Sequence, residues 1–190
     1  MKQLPNILSL IRLIISPVFF ILLISENRDF NCIALPVFFI GAVTDYFDGW
    51  LARKIKAVSK FGKFFDPLAD KFLTGFAFLG FVKLSIAPLW MVLIIIFRDV
   101  LTTTMRIYPS SMSKPIDTSK TSKIKTFIQM VFISIILVAF TLIKCNFSFI
   151  RQENLINFIY SDFTYYFLLL IVILTLWTLY EYSKNLKILK

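Results

Sequence analysis

Six apolar stretches, near Leu8–Ser25, Ile33–Val43, Phe72–Phe81, Ala87–Phe97, Phe127–Ile143 and Phe163–Tyr180, leave this chain few ways to fold. Each reaches roughly 20 residues once flanking polar positions are admitted, the length an α-helix needs to cross the hydrocarbon of a bilayer. There the backbone must satisfy its own hydrogen bonds, so helices are the expected form. Composition agrees, with 58% of residues hydrophobic and 17% charged, where soluble domains are about 45–50% apolar. The expected architecture is an all-α integral membrane protein: a bundle of six transmembrane helices making one domain over residues 1–190.

Basic residues orient the bundle. Of 21 Lys and Arg, only Arg28, Lys83, Lys144 and Arg151 fall in the segments joining spans one to two, three to four and five to six. Positive charge stays on the cytoplasmic side, so both termini are expected there, together with most of the net charge of +10. A basic face of this kind suits anionic headgroups and phosphorylated substrates. Nucleic acid is a poor fit, because these residues line short loops and form no separate domain. Lys2 before an apolar run imitates a signal peptide, but Arg12 interrupts the run and no small-residue cleavage site follows, so a retained first helix is expected. The polar stretch "RIYPSSMSKPIDTSKTSKIK" reads as a cytoplasmic loop between spans four and five. Cys32 and Cys145 fall near the outer ends of their helices. A bridge between them is geometrically conceivable, but two cysteines make no framework, and unpaired apolar packing is the default.

The second and third spans reach full length only by carrying Asp45, Asp48 and Asp70 toward the bilayer. Carboxylates cost at least about 2.5 kcal/mol there even on lenient scales, so they usually face a bundle interior or aqueous cavity and carry function. Asp45 and Asp48 are three residues apart, Asp66 and Asp70 four, spacings that put each pair on one helix face. Two such helices joined by a short basic turn would form a cup of four carboxylates. Hard divalent cations such as Mg²⁺ take such oxygen ligands, and two ions together stabilise the attacking and leaving oxygens of a phosphoryl displacement. The chain has no histidine, which excludes imidazole-based zinc and Ser-His chemistry and leaves a carboxylate as the natural general base. Gly49 and Ala52 would let a flat or charged group approach the backbone, or would serve close helix packing. Arg53 could hold a phosphate bidentately. Pairing of the acids with Arg53, Lys54 and Lys63 would account for one or two carboxylates, not two matched pairs. A cation transporter or channel is the rival from another class. Against it, the acids lie toward one membrane side, and the spans lack paired Gly/Pro-broken segments.

The stretch "VTDYFDGWLARKIKAVSKFGKFFDPLADKF" also fits D-x2-D-G-x2-A-R-x8-G-x3-D-x3-D at every fixed position. It resembles the signature of the CDP-alcohol phosphotransferase family. The resemblance implies a six-helix membrane enzyme, usually a homodimer, that transfers a substituted phosphate from a CDP-linked lipid or alcohol to an acceptor hydroxyl and releases CMP. By the same resemblance Asp45, Asp48, Asp66 and Asp70 would hold two Mg²⁺ or Mn²⁺ ions, with Asp70 also the base. Asp45, Asp48, Gly49, Ala52, Arg53, Gly62 and Asp66 would make the nucleotide site.

Three further stretches, "LPNILSLIRLIISPVFF", "GKFFDPLADKFL" and "FRDVLTTTMR" followed by "SKIKTFIQM", are similar to the bacterial branch that joins CDP-diacylglycerol to sn-glycerol 3-phosphate. That branch implies an enzyme of the bacterial inner (cytoplasmic) membrane whose active site faces the cytoplasm. Its acceptor is itself a phosphate, and Arg98, Arg106, Lys123 and Lys125, at the cytoplasmic ends of spans four and five, are the candidates to hold it. Each is also accounted for by ordinary positive-inside charge. Arg98 stands out because an apolar run precedes it and Asp99 compensates it only in part. Asp99 stands where that branch often has glutamate, Ser122 where a glycine is common, and the loop Ile107–Ser119 is unusual. The same chemistry with phosphatidylglycerol or inositol phosphate as acceptor is the nearest rival.

Overall fold

Every apolar stretch of the sequence forms a long helix, and one connector forms a short one. The computed structural model describes the backbone at residues 4–55, 60–107, 120–146 and 151–188, and side chains at 10–44, 71–104, 120–146 and 151–184. The helices are α1 (Leu4–Ile24), α2 (Arg28–Ile55), α3 (Lys60–Lys83), α4 (Leu89–Ile107), α5 (Lys120–Lys144), α6 (Gln152–Ile159) and α7 (Asp162–Ile188), with no strand among the described residues. The extra element is α6, in a segment the sequence reading left as a connector. At eight residues it is too short for hydrophobic periodicity to announce, and it buries Ile159.

The bundle's first half is α1 packed on α2 and α3. Its buried stripe is Arg12, Ser16, Phe19 and Leu23, spaced by four, three and four, as one face of a 3.6-residue helix requires. On α2 the facing stripe is Asn31, Ala34, Phe38 and Gly41. Phe19 meets Phe38 with ring centroids 5.3 Å apart, and Phe20 meets Phe76 of α3 at 5.7 Å. A Cβ on Gly80 would come within 2.5 Å of Leu23 Cδ2, so α1 and α3 approach closely there and a larger residue would displace the Leu23 side chain. In the second half, Phe132 of α5 stacks on Phe78 of α3 and Phe167 of α7, at 6.4 and 5.5 Å between centroids. Offset aromatic pairs of this kind are worth about 0.5–1.5 kcal/mol beyond the area they bury.

Outward the bundle is apolar. Among the described residues two helical stretches, Lys120–Lys144 and Gln152–Lys184, are long and apolar enough to cross a membrane, and Leu10–Ile24 is a shorter apolar helix. Ile14, Ile21, Phe97, Phe127, Phe163 and Tyr166 are each more than 60% exposed. On α7, Ile173, Leu176, Trp177 and Tyr180 stand exposed opposite buried Leu168, Ile171 and Val172. Continuous apolar surface on this scale marks an interaction or membrane face.

One end of the bundle is stapled. Asn31, fully buried, donates through Nδ2 to the carbonyls of Leu22, Leu23 and Ser25 at 2.9, 3.1 and 3.0 Å. It thereby satisfies carbonyls that the end of α1 leaves orphaned. Arg28 Nε donates to the carbonyl of Lys144, bringing the start of α2 against the end of α5. Here Cys32 and Cys145 form a disulfide with their Cα atoms 5.8 Å apart, overturning the expectation of unpaired cysteines. The pairing was illegible because it depends on α2 and α5 being neighbours across 113 residues. Tyr160 Oη donates to the Leu84 carbonyl at 3.0 Å and ties the α6–α7 junction to the α3–α4 turn.

Replacing Asn31 by leucine leaves the carbonyls at the end of α1 without this donor. The expected cost is about 1–3 kcal/mol, read as a lower melting temperature of the detergent-solubilised protein. An unchanged melting temperature would show that water caps this end instead.

Candidate functional site

At the other end of the bundle, the polar residues of α4 meet those of α5. Arg98 follows the run Leu93–Phe97 directly, so the helix that inserts this run carries a cation inward with it. Arg98, Asp99 and Lys125 are all more than nine-tenths buried. Asp99 Oδ1 accepts from Arg98 Nη1 at 3.0 Å and from Lys125 Nζ at 2.8 Å, while Oδ2 accepts from the same Nζ at 2.9 Å. One carboxylate therefore serves two cations. Such a cluster survives burial only because each charge has a partner, and it leaves a net positive charge at this level of the bundle.

A cavity of about 360 Å³ opens beside it, with Lys71, Arg98, Ser122 and Lys123 in its wall. Arg98 Nη2 reaches Ser122 Oγ at a long 3.5 Å, and Arg98 Nε has no hydrogen-bond partner among the described residues. Thr102, Thr103 and Thr126 complete the polar lining. Their hydroxyls donate back to the carbonyls of Arg98 at 2.9 Å, Asp99 at 2.7 Å and Ser122 at 3.1 Å. With these hydrogens committed, the threonine oxygens are left as acceptors. The cavity thus offers cations to an anion and acceptors to hydroxyl groups, the complement of a small phosphorylated alcohol. Thr121 Oγ1 and Trp177 Nε1 both donate to Glu181, Trp177 at 3.0 Å, closing this end between α5 and α7.

Of the residues expected to hold an acceptor phosphate, Arg98 and Lys123 line this cavity, whereas Lys125 turns its ammonium to Asp99. The side chain of Arg106 lies outside the described residues, as do those of Asp45, Asp48, Gly49, Ala52, Arg53, Gly62, Asp66 and Asp70. Their helices are described, and the register carries information. Gly41 of α2 packs on Leu73 of α3, its Cβ position 3.1 Å from Leu73 Cδ2. Along the chain, positions 45 and 48 follow that contact on α2, and positions 66 and 70 precede it on α3. Positions 45, 48 and 52 continue the three-and-four spacing of Phe38 and Gly41 on α2, and positions 70, 66 and 62 that of Leu73 and Ala77 on α3.

No group of three or more His, Cys, Asp or Glu forms a metal site among the described residues. The four aspartates nevertheless fit a hard divalent ion in donor chemistry, being carboxylate oxygens only. They stand at helical spacing on two successive helices, α2 and α3. Sequence reasoning missed Lys71, although it directly follows Asp70; that adjacency joins the cavity to the aspartate signature. It also missed the threonines, which carry no sequence signal apart from the place of Thr102 and Thr103 about one turn beyond Arg98 and of Thr126 one turn beyond Ser122.

The profile of the CDP-alcohol phosphatidyltransferase family matches residues 2–177 of the chain. A Bacillus subtilis (strain 168) protein named CDP-diacylglycerol–glycerol-3-phosphate 3-phosphatidyltransferase is 31% identical over an alignment covering all of this chain and 98% of that protein. A Rickettsia typhi protein of the same name is 34% identical over 72% of this chain and 77% of its own length. A Mycobacterium tuberculosis (strain H37Rv) protein named as a probable phosphatidylglycerophosphate synthase is 36% identical over 70% of this chain and 65% of its own.

The ion cluster predicts unequal costs for its members. Asp99→Asn leaves Arg98 and Lys125 buried without their carboxylate and is expected to cost about 3–5 kcal/mol. Lys125→Met keeps the Arg98–Asp99 pair and should cost clearly less. Thermal unfolding of both variants in detergent checks the order; equal costs would mean that water or another group compensates these charges.

Proposed function

The chain belongs to the CDP-alcohol phosphatidyltransferase family, and from that premise we propose that it transfers the phosphatidyl group of CDP-diacylglycerol to sn-glycerol 3-phosphate, releasing CMP and forming phosphatidylglycerophosphate for phospholipid biosynthesis. The observation that carries the acceptor is the cationic cavity whose wall begins at Lys71, the residue after Asp70. Lys71, Arg98 and Lys123 bind the acceptor phosphate, and the oxygens of Thr102, Thr103 and Thr126 take up glycerol hydroxyls. That leaves the reacting hydroxyl directed toward the aspartate end of α3.

Asp70 accepts the proton of that hydroxyl as its oxygen attacks the lipid-side phosphorus. The bond from that phosphorus to the oxygen bridging to the CMP phosphate breaks, and CMP leaves with the bonding pair. Asp45, Asp48, Gly49, Ala52, Arg53, Gly62 and Asp66 hold the nucleotide and diphosphate, Arg53 as the cation among them. Two Mg²⁺ or Mn²⁺ ions held by Asp45, Asp48, Asp66 and Asp70 would supply charge neutralisation for the diphosphate and the departing CMP. Preorganised positive charge of this kind is the main means of stabilising such a displacement.

The chain spans the bacterial cytoplasmic membrane six times as a single domain, with both termini and the active site in the cytoplasm, and works as a homodimer. Three things support this topology: the gathering of basic residues at the site end, the apolar exterior, and the disulfide at the opposite end. Disulfides persist outside the cytosol. The homodimer rests on the family resemblance.

Purified protein in detergent with CDP-diacylglycerol and Mg²⁺ should release CMP only when glycerol 3-phosphate is added, with an anionic lipid as co-product. CMP release with phosphatidylglycerol or inositol phosphate alone would rename the acceptor, and none with any acceptor would remove the reaction. Asp70→Asn should lower turnover at least about a hundredfold at saturating Mg²⁺; near-normal turnover would remove Asp70 as base.

Membranes alkylated before lysis should yield the chain with Cys32 and Cys145 protected until reduction, shown by mass shift after thiol labelling. Free thiols at both positions would put this end in a reducing compartment and reverse the topology.

A further inference from the structure

Arg98 lines the cavity, yet it is held from the side by a residue that does not. A guanidinium presents its five donors on fixed edges. Here Nη1 is spent on Asp99 Oδ1 at 3.0 Å. The remaining edge, Nε with Nη2, is the side-on fork that matches two phosphate oxygens. Nε has no partner among the described residues, and Nη2 makes only the 3.5 Å contact to Ser122, itself a wall residue of the cavity. Asp99 is fixed in turn, because Lys125 donates to both of its oxygens at 2.8 and 2.9 Å.

We propose that Asp99 is the positioning residue of the acceptor pocket: it anchors Nη1 of Arg98 so that the opposite Nε–Nη2 edge, with Nε buried and unspent beside the cavity wall, is kept as a fork for phosphate, and it withdraws Lys125 from the ligand. Asp99 touches neither acceptor nor nucleotide and acts through Arg98. This inference rests on glycerol 3-phosphate being the acceptor. Its one-methylene side chain sets where the anchor sits relative to the backbone of Arg98, one position earlier on α4. A glutamate there would move the anchor, and the fork with it. Lys125, buried to 1% exposure, holds the carboxylate in place and leaves Lys71, Arg98 and Lys123 as the cations of the wall.

The test is the glycerol 3-phosphate KM and kcat of wild type, Arg98→Gln, Asp99→Leu with Lys125→Met, all three substitutions together, and Asp99→Glu. The Leu/Met pair removes the anchor without stranding Lys125, leaving Arg98 as the one buried charge of the cluster without its carboxylate. Asp99→Glu keeps the charge should that variant fail to fold. Arg98→Gln and the Leu/Met variant are each expected to raise KM about tenfold or more, as loss of a charged hydrogen bond does, at nearly constant kcat. The triple variant should be no worse than Arg98→Gln alone, because contacts acting through one residue are not additive. Asp99→Glu should raise KM by a smaller factor. Multiplying effects in the triple variant, or a fall in kcat with KM unmoved, overturns the positioning role. So does an unmoved KM in both Asp99 variants while wild type saturates normally. A wild type whose rate does not saturate with glycerol 3-phosphate overturns the acceptor reading itself, and this role with it.

Discussion

Charge carried into an apolar bundle must be matched there, and the second half of this structure is arranged around that demand. Asp99 and Lys125 lie 26 residues apart and meet only because α4 and α5 run antiparallel at one spacing and one register. A slip of either helix would strand an ammonium or a carboxylate, at a cost of several kcal/mol. The cluster is therefore a specific link between α4 and α5, made by long side chains rather than by close packing of the two helices. The cavity inherits that specificity, since Arg98, Ser122 and Lys123 are neighbours of the paired residues on the same two helices.

The first half obeys a different rule. Its helices are held by close approach, with Gly41 under Leu73 and Gly80 under Leu23, and by the aromatic contacts of Phe19, Phe20, Phe38 and Phe76. Small residues at such crossings are what membrane helices use in place of a hydrophobic driving force. The two halves meet on α3. Its Ala77 and Phe78 face belongs to the core, and Lys71, one step from Asp70, enters the wall of the cavity. A three-helix unit bearing the aspartate signature and a second unit bearing a cationic pocket are thus joined through α3 at the site and through the α2–α5 disulfide at the stapled end.

What the sequence made legible follows from the range of each signal. Hydropathy is local, so six long helices could be read, and α6, eight residues of mixed polarity, could not. The aspartate signature lies within one stretch of chain, so the family could be recognised from Asp45 to Asp70 before any fold was known. Arg98 and Lys123 could be singled out as cations at helix ends. Whether each faced a ligand or a partner depended on tertiary register, and the structure separates Lys123, in the cavity wall, from Lys125, two residues on and bound to Asp99. Cys32 with Cys145 is the same lesson at 113 residues of separation. Lys71 was hidden for the opposite reason. It directly follows the last aspartate of the signature, whose pattern says nothing of position 71.

The two ends of the bundle divide the work between rigidity and chemistry. One end spends its polar groups on itself: Asn31 on the carbonyls closing α1, Arg28 on Lys144, Tyr160 on Leu84, Cys32 on Cys145. The other end keeps polar capacity unspent, with the Nε of Arg98 unmatched and three threonine oxygens open to a donor. Unsatisfied polar groups in a buried setting cost about 1–3 kcal/mol each, and among the described residues each end carries such a group, Asn31 Oδ1 at the stapled end and Arg98 Nε at the other. A closed and cross-linked far end offsets that loss without intruding on the pocket. Satisfying Arg98 from within the chain would steady α4 and, in the same step, fill the place where the acceptor phosphate is proposed to bind.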